Sequence, residues 1–141
     1  MAGNTTLTII KPDAFGAGKA GKIIALLEEK GFTVRAARVM QLTKAQAGEF
    51  YAIHRERPFY GELVQFMTSG PCMPLVLEKA GAVSALRDAI GATDPAEAAA
   101  GTVRKLYAES KGRNAIHASD SDENAQREAR FFFAETDLLW G

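Results

Sequence analysis

The chain has 141 residues, 47% hydrophobic and 24% charged, with 17 basic side chains matched by 17 acidic ones. That length supports one domain with a real core, and a net charge of zero argues against a polyanion-binding surface, so no nucleic-acid partner is expected. No apolar run approaches about 18 residues, so no membrane span is expected, and the lone cysteine, Cys72, excludes an internal disulfide.

Thr5 to Ile10 is rich in β-branched residues and reads as a strand closed by Lys11 and Pro12. Gly16-Ala17-Gly18-Lys19-Ala20-Gly21-Lys22 then satisfies G-x-G-x-x-G and most of a P-loop. Each pattern lacks its key partner. Ile23 stands where a P-loop needs a hydroxyl for magnesium, and Arg35 and Arg38 occupy the region where the dinucleotide fingerprint wants an acid. The glycines read instead as a flexible turn into a helix with Ala20, Ile23, Ile24 and Leu27 on one face, stopped by Gly31.

Phe32 to Leu42 is a long strand candidate with Val34, Ala36, Met40 and Leu42 on one side. Thr43-Lys44-Ala45-Gln46 is a capping box whose helix aligns Ala47, Phe50, Tyr51 and His54, by default a core stripe. After Pro58, the spacing of Phe59, Leu63, Phe66 and Met67 predicts an amphipathic helix ended by Gly70 and Pro71. Cys72 lies in an apolar run and suits a core better than a reaction. Pro74 to Glu78 is a short buried strand, and Gly81 to Ile90 a helix stopped by Gly91. Asp94-Pro95-Ala96-Glu97 predicts another helix start. Otherwise Gly91 to Asn114 is irregular, and long irregular segments in compact domains are usually functional. This one holds Thr93, Arg104, Lys105, Lys111, Arg113 and Asn114, all able to meet phosphate oxygens; the alternative is a solvated loop with scattered charge.

Asn114-Ala115-Ile116-His117-Ala118-Ser119-Asp120-Ser121 concentrates the chemistry: an amide, an imidazole, two hydroxyls and a carboxylate. His117 is a candidate nucleophile or acid–base group, against the blander reading of a histidine in a capped strand-to-helix turn. Ser121 opens a helix running to about Phe133, with Asp122 and Glu123 in its first turn. Ala125, Glu128, Ala129 and Phe132 share one face of it. A carboxylate on an apolar stripe needs a partner unless it sits at the solvated edge, and His117 is the nearest candidate. The order β-α-β-α-α-β-α-loop-β-α fits an α+β sandwich, or on pattern alone a small doubly wound sheet.

Asn114-x-x-His117-x-Ser119-Asp120 with Glu128 behind it resembles the active-site signature of nucleoside diphosphate kinases. Ile10-Lys11-Pro12-Asp13, Pro58-Phe59, Met67 to Pro71, Gly91-Ala92-Thr93 and Gly101-Thr102-Val103-Arg104 resemble that family's other blocks, in its order. The resemblance implies a single domain over residues 1–141 with a ferredoxin-like α+β sandwich, its four-stranded antiparallel sheet covered on one face by helices. It implies ping-pong transfer of a γ-phosphate, mainly from ATP, to a nucleoside diphosphate. His117 would be the phosphorylated residue, oriented by Glu128 and Ser119, with Tyr51 beside it. Lys11, Arg87, Arg104 and Thr93 would hold phosphates, Asn114 and Lys11 the sugar, and Phe59 the base. Mg2+ would ride on the nucleotide, with Asp120 reaching it at most through water. A cytoplasmic homo-oligomer is implied, a tetramer favoured over a hexamer, and the apolar end Leu138-Leu139-Trp140-Gly141 points to docking on a neighbour.

Four positions depart from the family's usual wording: Asp94 for asparagine, Ala100 for proline, Lys105 for a small residue, and Ala118 for glycine. Ala118 would tighten the turn if its φ had to be positive. Two other readings stand beside the phosphotransferase: a dinucleotide- or P-loop-binding protein using Gly16 to Lys22, and a non-catalytic ferredoxin-like module.

Overall fold

The architecture was read from a computed structural model describing residues 3–139; Trp140 and Gly141 of the expected docking segment lie outside them. Strand β1 (Thr5–Ile10) is central, pairing antiparallel with β3 (Met73–Glu78) on one side and β4 (Ile116–Ala118) on the other. Strand β2 (Thr33–Ala37) pairs antiparallel with β3, giving the order β2-β3-β1-β4. This is a ferredoxin-like sheet. Its antiparallel pairing excludes the doubly wound alternative, which needs parallel neighbours.

Alternation along the strands feeds two cores. Ile10, Leu75, Leu77 and Ile116 pack on one face against α2 (Ala20–Glu29) and α5 (Ala82–Ile90). Leu7, Ile9 and Val76 pack on the other against α3 (Lys44–Phe50), α4 (Tyr60–Met67) and α7 (Asp122–Phe132). Helices therefore cover both faces, not the one expected. That is why β1 is buried almost throughout instead of alternating with solvent.

Local chemistry explains the helix boundaries. Thr43 Oγ accepts from Gln46 N at 3.1 Å while Gln46 Oε1 accepts from Thr43 N at 2.9 Å, the reciprocal box read in the sequence. Gly31, at φ +98°, follows α2 and turns the chain into β2. Pro12 opens a short helix, α1 (Pro12–Gly16), that the sequence reading merged into the turn. This helix separates the glycine run from β1, so the glycines do not sit at a strand end as a phosphate loop does. Gly18, at φ +75°, simply turns the chain from α1 into α2.

Three expectations change. The long strand from Phe32 shortens to β2, and a bulge between Val34 and Ala36 shifts its register. Val34 then joins the first core while Ala36 and Met40 join the second, so they do not share a side. Beyond β2 the pairing continues through Arg38 N donating to Pro74 O at 3.2 Å and a bridge between Met40 and Cys72. The helix expected at Asp94 to Glu97 is a turn: Asp94 Oδ1 accepts from Ala96 N at 3.0 Å, an alternative bond that competes with helix. The helix of this region is instead α6 (Val103–Tyr107), capped by Thr102.

Candidate active site

Strand β4 is three residues long, and its pleat sends Ile116 and Ala118 into the first core and His117 to the opposite face. There the imidazole meets the edges of Phe50 (ring centroids 5.5 Å apart) and Tyr51 (6.3 Å). Ser121 Oγ accepts from Asn124 N at 3.1 Å and starts α7, whose helical spacing brings Glu128 against the ring. Glu128 Oε1 lies 2.7 Å from His117 Nε2 and accepts from Ser119 Oγ at 2.8 Å. The acid on the apolar stripe is therefore buried and partnered, not solvated at its edge. A carboxylate accepts, so Nε2 donates, and this assigns the ring's lone pair to Nδ1. Nδ1 has no hydrogen-bond partner among the described residues.

Tyr51 is buried, and its hydroxyl has no partner among the described residues. Burial, with the Glu128 charge adding to it, holds that phenol far above its ordinary range and therefore protonated. His117 opens onto a cavity of about 450 Å³ shared with His54, Arg87, Asp120 and Arg127. Arg87 also lines a second cavity, with Thr93, Thr102 and Arg104. Thr93 continues into a third, of about 660 Å³, with Lys11, Phe59, Phe66 and Asn114. Arg87 and Thr93 are thus each shared between two of these cavities, cations line all three, and Phe59 and Phe66 line the third.

Arg104 is held by three backbone carbonyls: Nη2 donates to Ile116 O (2.8 Å), Nη1 to Gly91 O (3.1 Å) and Nε to Asn114 O (3.4 Å). Burial and the nearby Arg87 charge push it down to about 10, still charged at neutral pH. Gly91 lets Thr102, the cap of α6, pack close to its backbone. Its φ is +87°, and a Cβ there would come within 2.6 Å of Thr102 Oγ1. Lys11 is buried, and its Nζ donates to Asn114 Oδ1 at 2.9 Å. Burial and Arg104 lower its ammonium to about 8, against the opposing pull of Asp13. Asp120 is exposed; the Asn124 amide, 2.6 Å from its Oδ1, holds its carboxyl below the usual carboxylate range, and Arg87 adds to the effect.

Ala115, not Ala118, carries the unusual backbone. Its φ is +75°, the one positive value among the described non-glycine residues, and Ile116 N donates across it to Asn114 O at 2.9 Å. This is the strained form of γ-turn, and left-handed conformations of this kind cost about 1–3 kcal/mol outside glycine. Ala118 lies in β4 with an ordinary φ, so the expected tightening there does not arise.

A family model described as nucleoside diphosphate kinase matches residues 4–138. The chain belongs to the nucleoside diphosphate kinase family. A nucleoside diphosphate kinase from Chlorobium luteolum is 62% identical over 134 residues, 95% of this chain and 96% of that one. One from Gluconacetobacter diazotrophicus is 54% identical over 139 residues, 99% of each chain. The Aquifex aeolicus nucleoside diphosphate kinase structure superposes with a TM-score of 0.94 at 45% identity, covering 96% of this chain and 99% of that one. A halophilic nucleoside diphosphate kinase from Halobacterium salinarum, solved in complex with CDP, gives 0.90 at 37% identity, covering 97% and 92%.

In this nucleoside diphosphate kinase family member, each residue to which the resemblance gives a site role lines one of these three cavities except Ser119, which lies buried behind Glu128; Lys105, the further phosphate candidate, lines none of them. His54, read as core, stands half-buried in the cavity wall between Tyr51 (centroids 6.5 Å apart) and Phe59 (5.5 Å). The helix ends at Phe50, and a 3₁₀ turn (Ala52–His54) swings the ring off the helical stripe. Arg127 and Asn124 also line this cavity unforeseen. Their one signal was their place on α7: Asn124, half-buried, lies one turn before Glu128 on the same face, and the exposed Arg127 directly precedes it. Gly16 to Lys22 line none of the three cavities.

Proposed function

We propose that this chain is a working nucleoside diphosphate kinase that exchanges a γ-phosphoryl group through His117. In the first half-reaction the Nδ1 lone pair attacks the γ-phosphorus of a nucleoside triphosphate, mainly ATP. The nitrogen–phosphorus bond forms, the bond to the β–γ bridging oxygen breaks, and the diphosphate leaves with that electron pair. A second nucleoside diphosphate then attacks through a terminal β-oxygen and takes the phosphoryl group, freeing the imidazole. The observation that carries this reading is the clamp on Nε2, which leaves the other nitrogen unpartnered at a cavity shared with Arg87.

Transfer of this kind asks mainly for positioning and charge neutralisation. Glu128 and Ser119 orient the ring, and Tyr51 buttresses its edge. Arg87, Arg104, Lys11 and Thr93 receive the phosphates, Asn114 and Lys11 the sugar hydroxyls. Phe59, 47% exposed at the rim, offers a face to any base. Among the described residues no group of three or more His, Cys, Asp or Glu could enclose a metal ion, and Asp120 is the carboxylate beside Arg87. That donor set suits Mg2+ carried by the phosphates, which Asp120 would reach at most through water. When bound, the ion would neutralise phosphate charge. No helix among the described residues is long and apolar enough to cross a membrane. We place the protein in the cytoplasm, as one domain over residues 1–141 in a homo-oligomer, a tetramer before a hexamer. β2 stands at one edge of the sheet, the position at which a strand from a second copy adds.

Incubation with γ-labelled ATP tests the proposal. The expected result is acid-labile, alkali-stable label on the protein, removed by any nucleoside diphosphate and absent in His117→Ala. Label retained in His117→Ala would overturn it.

A further inference from the structure

We infer that Asp13 is a positioning residue for this reaction: its carboxylate holds the strained turn at Ala115 that sets Asn114 and His117 toward the same nucleotide. This rests on the phosphotransfer reading above and adds a residue to it. Ala115 is clasped on both polar edges by the segment that follows β1. Its carbonyl accepts from Lys11 N at 2.9 Å, and its N–H donates to Asp13 Oδ2 at 3.0 Å. Ala115 is fully buried, and the Asp13 carboxylate is the acceptor its N–H meets. An alanine at φ +75° relaxes toward extended backbone unless something holds it.

The consequence for the site follows from chain geometry. One residue separates Ala115 from His117, and Asn114 precedes it directly. Rotating the Ala115 backbone therefore swings the Asn114 amide, and its bond to Lys11 Nζ, relative to the imidazole anchored in β4. Asp13 is itself fixed in the first turn of α1, which Lys11 caps and Pro12 opens. Lys11 and Arg113 both feel its charge. Its second oxygen, Oδ1, is buried without a partner among the described residues, which leaves Oδ2 as the anchoring atom. The competing role is plain support of α1, since an acid suits a helix's first turn.

Rapid-quench labelling with γ-labelled ATP over a range of concentrations, with thermal unfolding of each variant, separates the two roles. Asp13→Ala is expected to slow His117 phosphorylation at saturating ATP by about 10²-fold, the scale of a misplaced reacting group. Adding Ala115→Gly should restore it to within about tenfold of wild type, because glycine holds a positive φ unaided. Asp13→Asn, which keeps an acceptor toward Ala115, should stay within about tenfold as well. If Asp13→Ala does not fold, Asp13→Ser takes its place: it suits a first helical turn but is too short to reach Ala115. An equal loss with and without Ala115→Gly, or no loss at saturation, would overturn the inference. Wild-type protein that takes no label on His117 would instead overturn the reaction itself.

Discussion

Lys11 meets the site at a disadvantage, and its chemistry is measurable there. Burial and the Arg104 guanidinium disfavour its ammonium, so the folded value of about 8 lies below the ordinary 10.5. The charge offered to an incoming phosphate is present below about pH 8 and lost as pH rises through it. We expect kcat/KM for ATP to fall above about pH 8, since that ratio reports the free enzyme. The limb in kcat should lie higher, because bound phosphates favour the ammonium. Lys11→Gln should lack the kcat/KM limb; a limb of the same shape in that variant would assign it elsewhere. For folding, the unfolded chain holds this proton to higher pH, so the stability contribution rises between about pH 8 and 10.5. Residue identity made much of this site readable. An acid on an apolar stripe demanded a partner, and Glu128 has two. His54 was not readable: three residues of 3₁₀ turn decide which way that ring faces, and nothing in its spacing reports them.

At the scale of elements, long periodic segments were legible and short ones were not. Helices α2, α4, α5 and α7 declare themselves by apolar spacing and by Gly31, Gly91 and Ser121 at their ends. The bulge in β2 was invisible, because one extra residue leaves the composition of the strand unchanged while reversing its faces. Helix α6 was hidden because five residues carry too little periodicity, and Asp94-Pro95 offered a stronger but false start signal. The turn before β4 shows the same limit of local reading. The sequence points to Ala118 as a replaced glycine, whereas the positive φ belongs to Ala115. Ala118→Gly should therefore relieve no strain and should destabilise the protein by about 0.5–1 kcal/mol, as glycine does within a strand. Urea unfolding midpoints check this, and a stabilised variant would contradict it.

For the whole molecule, the antiparallel sheet explains why so short a strand can present the nucleophile. Within the sheet β4 pairs with β1 alone, but β1 is packed by cores on both faces, so His117 hangs from a strand that is buried almost throughout. Around it the cleft is assembled from segments distant in sequence: Lys11 from the end of β1, Phe59 before α4, Arg87 on α5, Arg104 on α6, Asn114 before β4 and Glu128 on α7. Pattern gave the elements but not their assembly, and only the resemblance chose between two sheet topologies. The clamp on Nε2 reduces the whole arrangement to one atom. Protein labelled with γ-labelled ATP, digested under alkaline conditions and resolved into phosphohistidine isomers, reads that atom directly. The expected result is the Nδ1 isomer on the peptide carrying His117; the Nε2 isomer, or phosphate on any other residue, would contradict it.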